Sequence, residues 1–119
     1  MQHSIQLKLS ADQQELLKND SGNIRIILTE VVHLNSDQIG YMLQAYHARQ
    51  KASKVAVVQD SIVLTIPGAV NLKVSYVLED FSACSAIDFE DKEEMPVTVE
   101  IDVDEGLFKL TGEYWPSLD

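Results

Sequence analysis

Residues Ile24–Leu34 read IRIILTEVVHL, and the reading of this run decides the middle of the fold. Ile and Val dominate it, residue types that suit a pleated surface, and it is too apolar on both sides for a strand with one wet face. It is therefore expected to be a central strand. Upstream, His3, Ile5, Leu7 and Leu9 alternate with Gln2, Ser4, Gln6 and Lys8, the period-2 pattern of a half-buried strand. Ser10-Ala11-Asp12-Gln13 then forms a capping box, in which the Ser10 hydroxyl serves the Gln13 amide and the Gln13 side chain reaches back. A short helix is expected to follow to about Lys18, closed by the turn-rich Asn19-Asp20-Ser21-Gly22.

Downstream, Asn35 is a candidate N-cap with Gln38 at N3, and Leu34 can staple onto Ile39 across it. Ile39, Met42, Leu43 and Tyr46 recur at helical spacing, which predicts one long helix over 35–53. From Val55 the pattern becomes β: strands over 55–58 and 62–66, separated by the polar Gln59-Asp60-Ser61, then a Pro67-Gly68 turn and an alternating strand over 71–78. Residues 81–87 are small and mixed, and the charge run over 88–94 predicts a solvated loop. The chain ends in a hairpin. A two-residue turn at Glu105-Gly106 places Val103 opposite Phe108, Ile101 opposite Leu110 and Val97 opposite Tyr114 on one face, with Asp102 opposite Lys109 on the other. A one-residue slip would scatter both sets. The expected architecture is a single α+β domain over 1–119, a mainly antiparallel sheet of about six or seven strands with one long and one short helix on one face.

Of nineteen acidic residues, thirteen lie from Glu79 onward, against only Lys92 and Lys109, and the whole chain carries −10. Nucleic acid is excluded as a direct ligand, because phosphate binding needs a basic footprint. No run approaches the ~20 apolar residues of a membrane span and no leader pattern opens the chain, so a cytoplasmic protein is expected. Cys84 is alone, so it forms no internal disulfide and adds no second soft ligand for a metal. Glu79, Asp80, Asp88 and Glu90 flank it and disfavour a thiolate, which makes it a small buried hydrophobe.

Chemistry-bearing motifs are few. Asp102, Asp104 and Glu113 match positions 1, 3 and 12 of a calcium-binding EF-hand loop, but Gly106 falls at position 5 rather than 6, and Phe108 and Leu110 alternate as a strand. His3, expected on an apolar strand face, His33, expected to end a buried strand, and His47, on a helix rim, share no spacing suited to a metal. There is no Gly-rich phosphate loop and no dinucleotide fingerprint, so no cofactor is implied.

What stands out is a row of acids. Glu100, Asp102 and Asp104 project from one strand face about 7 Å apart, Glu113 can join them from the partner strand, and Glu90, Asp91, Glu93 and Glu94 add to the same third of the chain. Such a row is a docking comb for the lysines and arginines of a basic protein. The function expected is a binding protein that neutralises a basic partner, such as a bacterial immunity protein or antitoxin covering the active site of a nuclease toxin. Two other readings stand beside it: a scaffold or assembly subunit that oligomerises through a sheet edge or a helix, and a small enzyme.

Overall fold

A computed structural model describes residues 1–47, 50–66, 68–80 and 90–116 of the 119-residue chain. The elements run β1 (Ser4–Lys8), α1 (Ala11–Asn19), a 3-10 turn (Ser21–Asn23), α2 (Ile24–Leu34), α3 (Ser36–Gln44), β2 (Gln50–Ile66), β3 (Ala69–Asp80), β4 (Glu90–Asp102) and β5 (Leu107–Thr111). Among the described residues the strands form one antiparallel sheet in the order β1-β5-β4-β3-β2. The last four strands make a meander, and β1 adds to its far edge beside β5. α2 and α3 pack on β2, and α3 also reaches β1. No helix among the described residues is long and apolar enough to cross a membrane.

This α+β sheet has five strands, not six or seven, and two misreadings account for the difference. Ile24–Leu34 is the helix α2: its buried residues Ile24, Ile27, Leu28, Val31 and Val32 follow the i, i+3, i+4, i+7, i+8 stripe of an amphipathic helix. Exposed Ile26 and Leu34 on the wet side disguised that stripe as a continuous apolar run. The strands expected over 55–58 and 62–66 are one 17-residue strand, β2, with irregular pairing where the polar Gln59-Asp60-Ser61 sits. There the Ser61 hydroxyl donates to the Val58 carbonyl at 2.5 Å and accepts from the Lys73 amide at 2.8 Å, so side-chain bonds replace missing ladder bonds.

Further corrections are local. The long helix over 35–53 is cut short: α3 ends at Gln44 and the chain is already in β2 from Gln50. Among the described residues the result is three α-helices of 9, 11 and 9 residues instead of one long and one short. Asn35 makes no side-chain cap; its amide donates back to the Val31 carbonyl at 2.8 Å, and Leu34 is too exposed to staple. Glu90, Asp91, Glu93 and Glu94 belong to strand β4 rather than to a loop. His33, expected in a buried strand, is exposed near the end of α2. The β4–β5 hairpin pairs Asp102 with Leu107, Ile101 with Phe108 and Glu100 with Lys109, two residues away from the expected register. A shift of two preserves the side-chain alternation, so Val97, Ile101, Val103, Phe108 and Leu110 keep the core side even though every pair changed, but Tyr114, expected on that side opposite Val97, lies beyond β5 and is exposed. The segment 81–87 with Cys84, and the first two residues of the expected loop, Asp88 and Phe89, lie outside the described residues.

The core lies between the helices and one sheet face. Leu28, Val31, Ile39 and Leu43 from the helices meet Leu7, Val74, Val99, Phe108 and Leu110 from the strands, all essentially buried. The capping box forms as the sequence implies. Its Gln13 is also buried and donates to Glu30 at 2.7 Å, tying α1 to α2. The other sheet face carries none of the described helices. Gln6 and Lys8 of β1, Lys109 of β5, Glu94, Thr98, Glu100 and Asp102 of β4, and Asn71 and Lys73 of β3 stand exposed on it.

Candidate functional site

The alternation of β4 sends Glu100 and Asp102 to the helix-free face, and the turn that follows brings Asp104 beside them. These three carboxylates rim an open concavity of about 730 Å³, with Gln6, Thr98 and Lys109 on its walls and Ala69 and Leu107 among its lining. Across the ladder, Glu100 stands opposite Ala69 on one side and Lys109 on the other, and Lys109 is opposite Gln6. One lysine thus meets three acids, and the concavity keeps a net negative field.

The turn is held from several sides. The Asp102 Oδ1 accepts the Glu105 amide at 3.1 Å, an Asx-type closure. Gly106 has φ +66°, a conformation that a residue with a Cβ adopts only with strain. Its carbonyl accepts the Leu9 amide at 2.8 Å, which locks the turn to the end of β1. Gln14 on α1 then reaches across to donate its Nε2 to the carbonyls of Val103 at 2.6 Å and Asp104 at 3.1 Å. Gln14 escapes a reading of sequence pattern because its partners lie about ninety residues away. The only local signal is its place in the first turns of a helix.

The eight acids anticipated as one surface are divided among separate places. Glu100, Asp102 and Asp104 come together as described. Glu94 is on the same face but lines another hollow with Asp60, Ser61 and Lys73. Asp91 and Glu93 have the opposite parity and pair with Leu78 and Tyr76 on the helix side of the sheet. Glu90 pairs with Glu79 at the start of β4, and its side chain lies outside the described residues. Glu113 lies beyond β5 rather than across from Asp102. Its backbone carbonyl accepts the Tyr46 hydroxyl at 2.7 Å and its carboxylate accepts the Trp115 indole N–H at 2.6 Å.

Glu93 and Glu113 instead belong to an aromatic cluster at the opposite end of the strands. Tyr46 packs edge-on against His3 and Trp115, with ring centroids 5.1 and 4.9 Å apart, and His47 packs against Trp115 at 5.3 Å. The His47 Nε2 and the Tyr76 hydroxyl are 2.8 Å apart. Burial lowers the His47 pKa, against the attraction of Glu93, so the imidazole is neutral at pH 7. Burial first, then Glu93 and Glu113, push the Tyr76 hydroxyl up to about 12. A protonated phenol facing a neutral imidazole assigns the donor role to Tyr76 and the acceptor role to Nε2. The Nε2 lone pair is thereby engaged by the phenol. The cluster fastens the C-terminal segment to the body, since the Trp115 amide donates to the Met1 carbonyl at 2.8 Å.

Among the described residues, no group of three or more His, Cys, Asp or Glu side chains is arranged to hold a metal ion. His3 and His47 share the aromatic cluster, while His33 lies on α2 beside α3 and β2. The EF-hand spacing corresponds to a β-hairpin, with Phe108 and Leu110 buried in β5. No protein-family model, no curated protein and no solved structure matches this chain.

Proposed function

We propose that the chain is an acidic binding protein that covers a basic surface of a protein partner, as a bacterial immunity protein or antitoxin covers the active site of a nuclease toxin. The observation that carries this reading is the convergence of Glu100, Asp102 and Asp104 around one concavity on the helix-free sheet face, on a turn fixed by Gln14 and Gly106. A site that binds phosphates must be basic, and its complement is a fixed acidic surface. A chain of net charge −10 draws such a partner in from a distance, and a preorganised turn limits the ordering cost on contact. Neutralising a nuclease made in the same cell places the protein in the cytoplasm.

The test is a growth assay with the product of the neighbouring open reading frame, since a neutraliser is commonly encoded beside its target. Toxicity of that product, relieved by the wild-type chain and not by the Glu100→Lys, Asp104→Lys double variant, is the expected result. Equal rescue by both forms, or a neighbour whose product neither harms the cell nor binds this chain, would overturn the proposal.

A further inference from the structure

The two edges of the sheet are finished differently. On β2, the longest strand, helix side chains occupy several outward backbone groups. The Gln44 carboxamide accepts the Ala52 amide at 3.0 Å and donates to the Gln50 carbonyl, imitating one residue of a neighbouring strand. Further along, the Arg25 guanidinium donates to the carbonyls of Gln59 at 3.2 Å and Ile62 at 3.4 Å. These are the devices by which native sheets block edge-to-edge pairing.

On β1 the outward groups have no such cover. The Gly112 amide donates to the His3 carbonyl at 2.9 Å and the Leu9 amide to the Gly106 carbonyl at 2.8 Å, so the odd residues of this strand bond to β5. In an antiparallel ladder the alternate residues turn their N–H and C=O the other way. Ser4, Gln6 and Lys8 therefore point theirs to solvent, and among the described residues no side chain takes them up.

We infer that the free edge of β1 pairs with the β1 edge of a second copy, antiparallel about a two-fold axis at Gln6, to give one continuous ten-stranded sheet. The edge is self-complementary. Pairing about Gln6 sets Gln6 against Gln6 and Ser4 against Lys8 as hydrogen-bonded pairs, which makes about six bonds between copies. Half-buried Ile5 comes opposite Leu7, so the core stripe runs on across the junction. Charge favours a second copy at this place. β1 and β5 carry Lys8 and Lys109 and no acid, so this edge is where two strongly acidic chains can meet without setting carboxylates against each other. An axis perpendicular to the sheet leaves both acidic concavities on the same side, with the two β4 strands five strand spacings, or about 24 Å, apart.

Sedimentation of the purified chain across a concentration series tests the inference, with two variants at Gln6. Gln6→Pro removes an outward N–H that the chain's own ladder does not use, as edge strands tolerate. Gln6→Glu sits opposite Lys109 within the chain and opposite another Glu across the axis. Each is expected to weaken a wild-type dimer by about tenfold or more, or about 1.4 kcal/mol, and Gln6→Glu is expected to do so with an unchanged melting temperature of the monomer, read at concentrations too low for dimerisation, which keeps the test sound if the proline variant fails to fold. Added salt is expected to strengthen the dimer, because it screens repulsion between two acidic chains, whereas it weakens capture of a basic partner. The two proposals therefore fail independently. A wild-type chain that stays monomeric up to about millimolar concentration, where only a dimer with a Kd weaker than about 1 mM would escape detection, would sink the inference. So would a dimer indifferent to Gln6→Glu, which would place the contact elsewhere, or open-ended growth, which would mean β1 pairing with a different edge.

Discussion

Gln14 and Gly106 form a coupled pair that sets the shape of the acidic turn. A Cβ on Gly106 would stand 3.0 Å from the Gln14 Oε1, and the backbone there is left-handed. Gly106→Ala is expected to destabilise the fold by about 1–2 kcal/mol from the backbone alone, with a further cost from displacing the Gln14 side chain. Gln14→Ala removes two hydrogen bonds to carbonyls at the surface, about 1 kcal/mol. Because the alanine at 106 already disturbs those bonds, the double variant is expected to cost less than the sum, as residues in contact do. Denaturant melts of the four proteins measure this, and strict additivity would show that the two do not act on each other. A second residue-scale prediction concerns pH. With the folded His47 pKa below its ordinary 6.5, the unfolded chain binds more protons in the window beneath 6.5, so stability is full above that value and falls as pH drops through it. The melting temperature is expected to decline from pH 7.5 to 5.5, a window mostly above the carboxylates, and His47→Phe is expected to flatten the decline. For Tyr76 the sign reverses: with the hydroxyl held at about 12, stability is lost as pH rises past 10, and Tyr76→Phe is expected to remove that loss.

At the scale of elements, α2 shows what sequence pattern could and could not supply. Its stripe of Ile24, Ile27, Leu28, Val31 and Val32 is helical, but the abundance of Ile and Val and the exposed Ile26 and Leu34 give the same letters the look of a buried strand. Ile26 is 68% exposed and Leu28 0%, so Leu28→Ala is expected to cost about 2–5 kcal/mol while Ile26→Ala stays within about 0.5 kcal/mol. If the two substitutions proved equally costly in denaturant melts, the helical reading of this segment would be wrong. α1 was legible because the capping box is a local device, complete within four residues. The end of α3 was not, because what stops the helix lies outside it: Tyr46 and His47 are held by Glu113 and Tyr76, and the Gln44 side chain is bonded to the first residues of β2. Leu43 belongs to the part read correctly. It is fully buried, and Leu43→Ala is expected to cost about 2–5 kcal/mol, the range of a core cavity.

Over the whole molecule, the charge asymmetry is plain in the sequence, but its distribution in space is not. Strand alternation puts Glu100 and Asp102 on one face and Asp91 and Glu93 on the other, so a single acidic stretch serves two ends and two sides of the sheet. Three of the eight anticipated acids converge, and they do so because the turn folds Asp104 back and Gln14 holds it there. Long-range attraction depends on the summed field, while docking depends on that local convergence, and the two can be separated by experiment. Asp102 is unsuited to the purpose, since its Oδ1 closes the turn. Glu100 and Asp104 have exposed carboxylates, and replacing both with Lys is expected to leave the melting temperature nearly unchanged, because exposed charge pairs contribute only about 0–1 kcal/mol. The same variant is expected to associate more slowly with a basic partner than a control that reverses two acids outside the concavity, Glu15→Lys and Asp37→Lys. Both carry the same net charge, so the difference isolates placement from total charge. Raising salt from about 50 to 500 mM, which shortens the Debye length from roughly 14 to 4 Å, should slow the wild type in the same sense. Equal association rates for the two variants would mean that net charge alone steers the encounter and that the concavity is not where the partner docks.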